Sequence, residues 1–84
     1  MSKYEPIYLS EFAELVGLDV NRWDVAISKQ KGTGGRKVIV WVRDRETGKV
    51  LVDAKSGGQS KGELDRSAQH IATELAKQLL GDCQ

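Results

Sequence analysis

The residues most able to do chemistry lie in the last third of the chain, in Gly57-Gly58-Gln59-Ser60-Lys61-Gly62-Glu63. Ser60 and Glu63 have the spacing of a capping box, in which the serine oxygen accepts from the Glu63 backbone N–H and the carboxylate accepts from the N–H of Ser60. Such a box fixes a helix start and puts Lys61 in the first turn, beside orphan backbone donors. The helix dipole prefers anions at that end. A lysine there makes sense where an external anion, such as a phosphate, docks; a solvated lysine in an ordinary capping box is the simpler alternative. A second segment suited to the same chemistry is Lys29-Gln30-Lys31-Gly32-Thr33-Gly34-Gly35-Arg36-Lys37. Its glycines allow the backbone to approach a phosphate closely, and the alternative is a solvated hairpin loop. It is not a Walker loop, because no Lys-Ser or Lys-Thr follows a six-residue glycine frame.

Other chemistries find little support. His70 is the single histidine, stands beside an apolar stripe and has no ligand set around it. Cys83 is the single cysteine, without a histidine partner and in a tail expected to fray. Glu63 and Asp65 are accounted for by capping and surface charge. No catalytic residue, metal ligand or cofactor is therefore expected, and the chain does not read as an enzyme.

With 84 residues, 39% apolar and 30% charged, the sequence describes one small globular domain, with a loose lead-in over residues 1–8 and a tail over 81–84. No apolar run approaches a membrane span, and the first residues have no signal-peptide core. One cysteine makes no disulfide framework, so a cytoplasmic, reducing compartment is expected. The net charge of +1 conceals a block pattern. Lys3 and Arg22 stand against Glu5, Glu11, Glu14, Asp19 and Asp24 in the first block. Residues 25–49 carry Lys29, Lys31, Arg36, Lys37, Arg43, Arg45 and Lys49 against Asp44 and Glu46, and the remainder is nearly balanced. The basic block contains the glycine-rich segment.

The elements that must position these residues follow from periodicity. Ser10 is expected to cap a short helix to about Val16, with Leu9, Phe12, Ala13 and Val16 on one face and Gly17 as its stop. From Trp23 the period becomes two: Trp23, Val25 and Ile27 alternate with Asp24, Ala26 and Ser28. Lys29 to Lys37 reads as a mobile loop unable to hold a regular element. Val38 to Arg43 is a β-branched strand. Asp44 to Lys49 is a hairpin connection with Gly48 left-handed, and Val50 to Ala54 a third strand. A final helix runs from Lys61 to about Leu80, burying Leu64, Ala68, Ile71, Ala72, Leu75 and Leu79, with Gly81 at its end. The fold class is α+β, α-β-β-β-α: a three-stranded antiparallel sheet with both helices on one face. Val38, Val40 and Val42 are expected beneath the helices, which leaves Ile39, Trp41 and Leu51 on the outer face. There they form a protein-interaction or dimer surface, or Tyr4, Ile7 and Tyr8 fold back over them.

In this order the chain resembles the double-stranded RNA-binding domain. Pro6 followed by Leu9-Ser10-Glu11-Phe12-Ala13-Glu14 is similar to that family's first helix. Gly17-Leu18, a short connection and Trp23-Asp24-Val25 resemble its approach to the first strand, and Gly48-Lys49-Val50-Leu51 its approach to the third. Gly57-Gly58-Gln59-Ser60-Lys61 stands where the family has a glycine-rich turn, a serine and a lysine before an alanine-rich helix. The likeness spans residues 6–80.

The resemblance implies non-enzymatic recognition of duplex RNA by shape, without sequence reading. Helix 1 and the loop after the first strand enter successive minor grooves, and the start of helix 2 meets phosphates between them. Carried over, Glu11 and Glu14 would meet ribose hydroxyls. Lys29, Lys31, Arg36, Lys37, Lys61 and Arg66 would meet phosphates, with Thr33, Gly34 and Gly35 giving close backbone approach. The departures are as specific. The loop has neither the family's Gly-Pro nor its histidine, Gly62 replaces the second lysine of helix 2, and Asp65 falls where the third belongs. The rival expectation is a protein-interaction, adaptor or inhibitor domain that kept the fold and lost the RNA site, working through Ile39, Trp41 and Leu51, as a homodimer or with another protein.

Overall fold

Valine at every second position organises the centre of this chain. The computed structural model describes residues 6–32, 35–56 and 61–81, with the side chain of Lys61 outside the description. Its elements are α1 (Ser10–Leu15), β1 (Trp23–Gly32), β2 (Gly35–Asp44), β3 (Val50–Ser56) and α2 (Lys61–Gly81). The strands form one antiparallel sheet in the order β1-β2-β3. Val38, Val40 and Val42 of β2 are wholly buried together with Val25 of β1. Against them α2 sets Leu64, Ala68, Ile71, Ala72, Leu75, Ala76 and Leu79, and Ala13 of α1 with Val16 at its C-cap joins the same core. The fold is therefore α+β, as the periodicity required. Small alanines at 68, 72 and 76 recur every four residues, which lets the helix axis come close to the sheet.

Several boundaries differ from the sequence reading. The segment expected as a mobile loop is the top of a continuous hairpin: Gln30 pairs with Lys37, Lys31 with Arg36 and Gly32 with Gly35. Backbone pairing propagates from the valine-anchored section without needing apolar side chains of its own. Gly35 takes a φ of 113°, open to glycine but strained for other residues. Thr33 and Gly34 lie outside the described residues. β3 continues past Ala54 to Ser56, and α2 includes Gly81 rather than ending before it.

Ser10 is not the cap of α1. Leu9 holds that position with no side-chain hydrogen bond, because its carbonyl already accepts from Phe12 N–H at 3.0 Å while its own N–H donates to the Val25 carbonyl at 3.2 Å. Leu9, just after the lead-in, is thereby tied to the edge of β1 and is partly exposed rather than core; residues 1–5 of the lead-in lie outside the described residues. Gly17 at φ 78° and Gly48 at φ 77° occupy the left-handed positions expected of them. Ser60, expected to cap α2, lies outside the described residues with Gly57, Gly58 and Gln59.

Leu51 also changes side. It stands opposite Val42 and packs against the core, whereas Trp41 stands opposite Val52 and Ile39 opposite Ala54 on the outer face. Directly opposed residues share a face, so the outer apolar set is Ala26, Ile39, Trp41, Val50, Val52 and Ala54. Tyr8 does reach that face: the Arg43 guanidinium lies 4.6 Å from its ring centroid. Ile7 stays exposed, and Tyr4 is outside the described residues.

The end of the hairpin remote from its turn is held by charge. Asp24, buried at the start of β1, accepts from Arg45 Nε at 2.8 Å on Oδ1 and from Arg43 Nε at 2.9 Å on Oδ2. Asp44, buried at the end of β2, accepts from Arg22 at 3.3 Å and from the Glu46 backbone N–H at 2.9 Å. The Arg45 hydrogen bond, opposed by burial and reinforced by Arg43, holds the Asp24 carboxyl below its ordinary pKa. For Asp44 burial pushes upward, but the Glu46 N–H and Arg22 outweigh it and the pKa ends lowered.

Two outcomes follow from this packing and pairing. Leu75→Ala, in the core, should cost about 3 kcal/mol by chemical denaturation, while Leu80→Ala, 47% exposed, should stay within about 0.5 kcal/mol. Both aspartates bind protons more weakly folded than unfolded, so the stability they supply is complete above the unfolded pKa of about 4 and is lost as pH falls through the folded values. Unfolding curves of Asp24→Asn should accordingly show lower stability at neutral pH and a flatter loss in acid. An acid limb as steep as that of the unmodified chain would refute this role for Asp24.

Candidate functional site

The alternation that buries the valines continues beyond the core and there carries cations. Lys29 stands opposite Val38, and Lys31 opposite Arg36. All three basic residues therefore lie on the helix-side face, where α2 begins. They line a groove of about 380 Å³ together with Gln30, Gly62, Leu64 and Asp65. Leu64 is core, so the groove floor is the last layer of the packed interior. A Cβ added at Gly62 would meet nothing within 4 Å, so this side of the groove is open.

One contact crosses the groove. Lys29 Nζ donates to Asp65 Oδ1 at 2.9 Å, tying the hairpin to the second turn of α2. Both side chains are about half exposed (49% and 48%), which keeps such a pair weak, about 0–1 kcal/mol. Lys29 and Asp65 pair with one another, and Lys31 and Arg36 are the further basic side chains that line the groove. The first residues of α2 add backbone N–H groups at the positive end of the helix dipole. The combination suits an anion with several oxygens.

The positions expected to act together are only partly brought together. Lys29, Lys31 and Arg36 converge with the start of α2, where Lys61 is the first helical residue. Lys37 stands opposite Gln30 on the outer face and is separated from the other three cations. Arg66 is exposed on α2 but does not line the groove. Gly35 is a strand residue at the hairpin top. Glu11 and Glu14 are exposed on α1, beside the opposite end of β1. From Val25, where the lead-in joins that strand, to Lys31 the chain advances roughly 20 Å at the usual rise per residue. Sequence reasoning placed Asp65 as a defect in a lysine row. It did not foresee that Asp65 would meet Lys29, because that requires knowing which face of the extended hairpin looks at α2.

Among the described residues, no three His, Cys, Asp or Glu side chains gather to hold a metal ion, and no helix is long and apolar enough to cross a membrane. No family model matches the chain, and neither a curated protein nor a solved structure is significantly similar to it.

A half-exposed ion pair should be dispensable for folding. Asp65→Ala is expected to shift stability by less than about 1 kcal/mol. A loss well above that in chemical denaturation would make Asp65 structural rather than a groove residue.

Proposed function

We propose that this chain is a non-enzymatic nucleic-acid-binding module that holds duplex RNA by its backbone. The observation that carries the reading is the groove itself: Lys29, Lys31 and Arg36 on one face of the hairpin, opposite the first turn of α2. Phosphate oxygens accept from lysine, guanidinium and helix-terminal N–H groups alike. The exposed carboxylates Glu11 and Glu14 lie on α1, which packs on β1 and follows the lead-in joined to Val25, and β1 advances roughly 20 Å from Val25 to Lys31, in keeping with a second contact on the same duplex. The order of elements and the resemblance of residues 6–80 to double-stranded RNA-binding domains point the same way. Binding of this kind reads shape and charge, not sequence.

Asp65 sets how strong such binding is. A phosphate arriving at Lys29 must displace a carboxylate, and that carboxylate then faces the incoming anion. Gly62 contributes no charge where space for a long side chain exists. The site is thus a weakened version of what its geometry permits.

Binding to a duplex of about 20 base pairs, longer than the roughly 16 such a module spans, should be measured by fluorescence anisotropy at two salt concentrations, with duplex DNA alongside. Salt-sensitive binding that favours RNA is expected. Lys31→Ala, Arg36→Ala and Lys61→Ala should each weaken it and lower the salt slope by about one. Asp65→Asn should strengthen it several-fold, and Gly62→Lys more so. A chain that binds no duplex at low salt, with Asp65→Asn equally inert, would sink the proposal and turn attention to protein partners on the outer face around Trp41.

A further inference from the structure

We propose that the open edge of β3 pairs antiparallel with β3 of a second copy of this chain, with the two-fold axis at Ala54. The inference stands apart from the RNA reading and uses none of the groove residues.

The direction of the backbone groups along β3 is fixed by the ladder. The Asp44 N–H donates to the Lys49 carbonyl at 2.9 Å, marking these two as a hydrogen-bonded pair. Such pairs recur at every second position of an antiparallel ladder, so Leu51, Asp53 and Lys55 bond to Val42, Val40 and Val38. Val50, Val52, Ala54 and Ser56 therefore direct their N–H and carbonyl groups away from β2. The Ala54 N–H agrees with this: it donates to the side chain of its neighbour Asp53 at 2.8 Å. β3 is the last strand of the order β1-β2-β3, so no described strand of the same chain covers that edge. Val50 and Val52 are 45% and 55% exposed along it.

Charge then selects both the partner and the register. With the axis at Ala54, Asp53 of each copy stands opposite Lys55 of the other, giving two reciprocal opposite-charge pairs. An axis at Asp53 or at Lys55 instead opposes like charges, which destabilises a sheet. Charged residues on an edge strand usually discourage pairing. Here they are complementary to themselves under a two-fold axis, which is the condition for an isologous interface. Asp53 and Lys55 lie on the helix-side face but remain exposed, because α2 packs chiefly on β2. On the other face, Trp41, Val52 and Ala54 of the two copies adjoin in one apolar surface. The β1 edge is a poorer candidate: Leu9 already donates to Val25 there, and beyond it self-pairing brings Lys29 and Lys31 towards lysines.

The test is sedimentation equilibrium of the full chain from about 1 μM to about 1 mM, where a reversible dimer shows as a concentration-dependent mass. Asp53→Lys and Lys55→Asp should each weaken dimerisation about tenfold or more, and the double reversal should restore it. Ala54→Pro removes an N–H that the β2 ladder does not use; it should abolish the dimer and leave thermal unfolding of the monomer nearly unchanged. A chain that is monomeric throughout this range overturns the proposal. So does a dimer indifferent to the charge reversals.

Discussion

The burial of Val38, Val40 and Val42 beneath α2 is the constraint on which the rest of this structure depends. Side chains alternate across a strand, so a register fixed anywhere fixes every residue's face, and a slip by one residue would turn three valines to water. Burying each is worth roughly 1.5–3 kcal/mol relative to exposure, which makes such a slip prohibitive for a chain of this size. The core thereby decides matters well outside itself. It sends Lys29, Lys31 and Arg36 to the helix side and Lys37 to the other, without any of these residues contributing to the decision.

The two ends of the hairpin handle charge differently. At the end remote from the β1–β2 turn, Asp24 takes two arginines and Asp44 takes Arg22 and a backbone N–H. These carboxylates are buried, and their partners satisfy them where water cannot. At the turn between β1 and β2, Lys29, Lys31 and Arg36 line the groove with Asp65, whose pair with Lys29 water reaches on both sides. The first arrangement fixes strands. The second sets basic side chains where water reaches them, so the two uses of charge are separated along the length of one hairpin.

Much of the fold was legible because its signals are local. Valine alternation, Gly17 and Gly48 at left-handed turns, and the helical stripe from Leu64 to Leu79 each need only a few neighbouring residues. What escaped was non-local. Glycine and lysine between 29 and 37 read as a loop because their own propensities favour one; pairing inherited from the valine section overrode them. The cap at Leu9 instead of Ser10 depends on a bond to Val25, and the inward turn of Leu51 depends on its register against Val42. The candidate site was legible in its residue types but not in its membership. Lys29, Lys31 and Arg36 could be nominated from charge, whereas their separation from Lys37 and the contact with Asp65 required the register.

A net charge of +1 is no obstacle to an anion site of this design. At physiological salt, charges separated by more than about 8 Å are largely screened from one another, so acidic residues at the far end of the sheet hardly alter the potential in the groove. What counts is the local set, in which Asp65 is the acidic residue lining the groove. Asp65 neutralises one cation of the groove through an exposed pair that costs little to break, and it does so from a helix whose opening turn otherwise favours negative charge. In the proposed anion-binding role, small changes in the groove's composition would therefore alter affinity while the fold, held by the valines, stays the same.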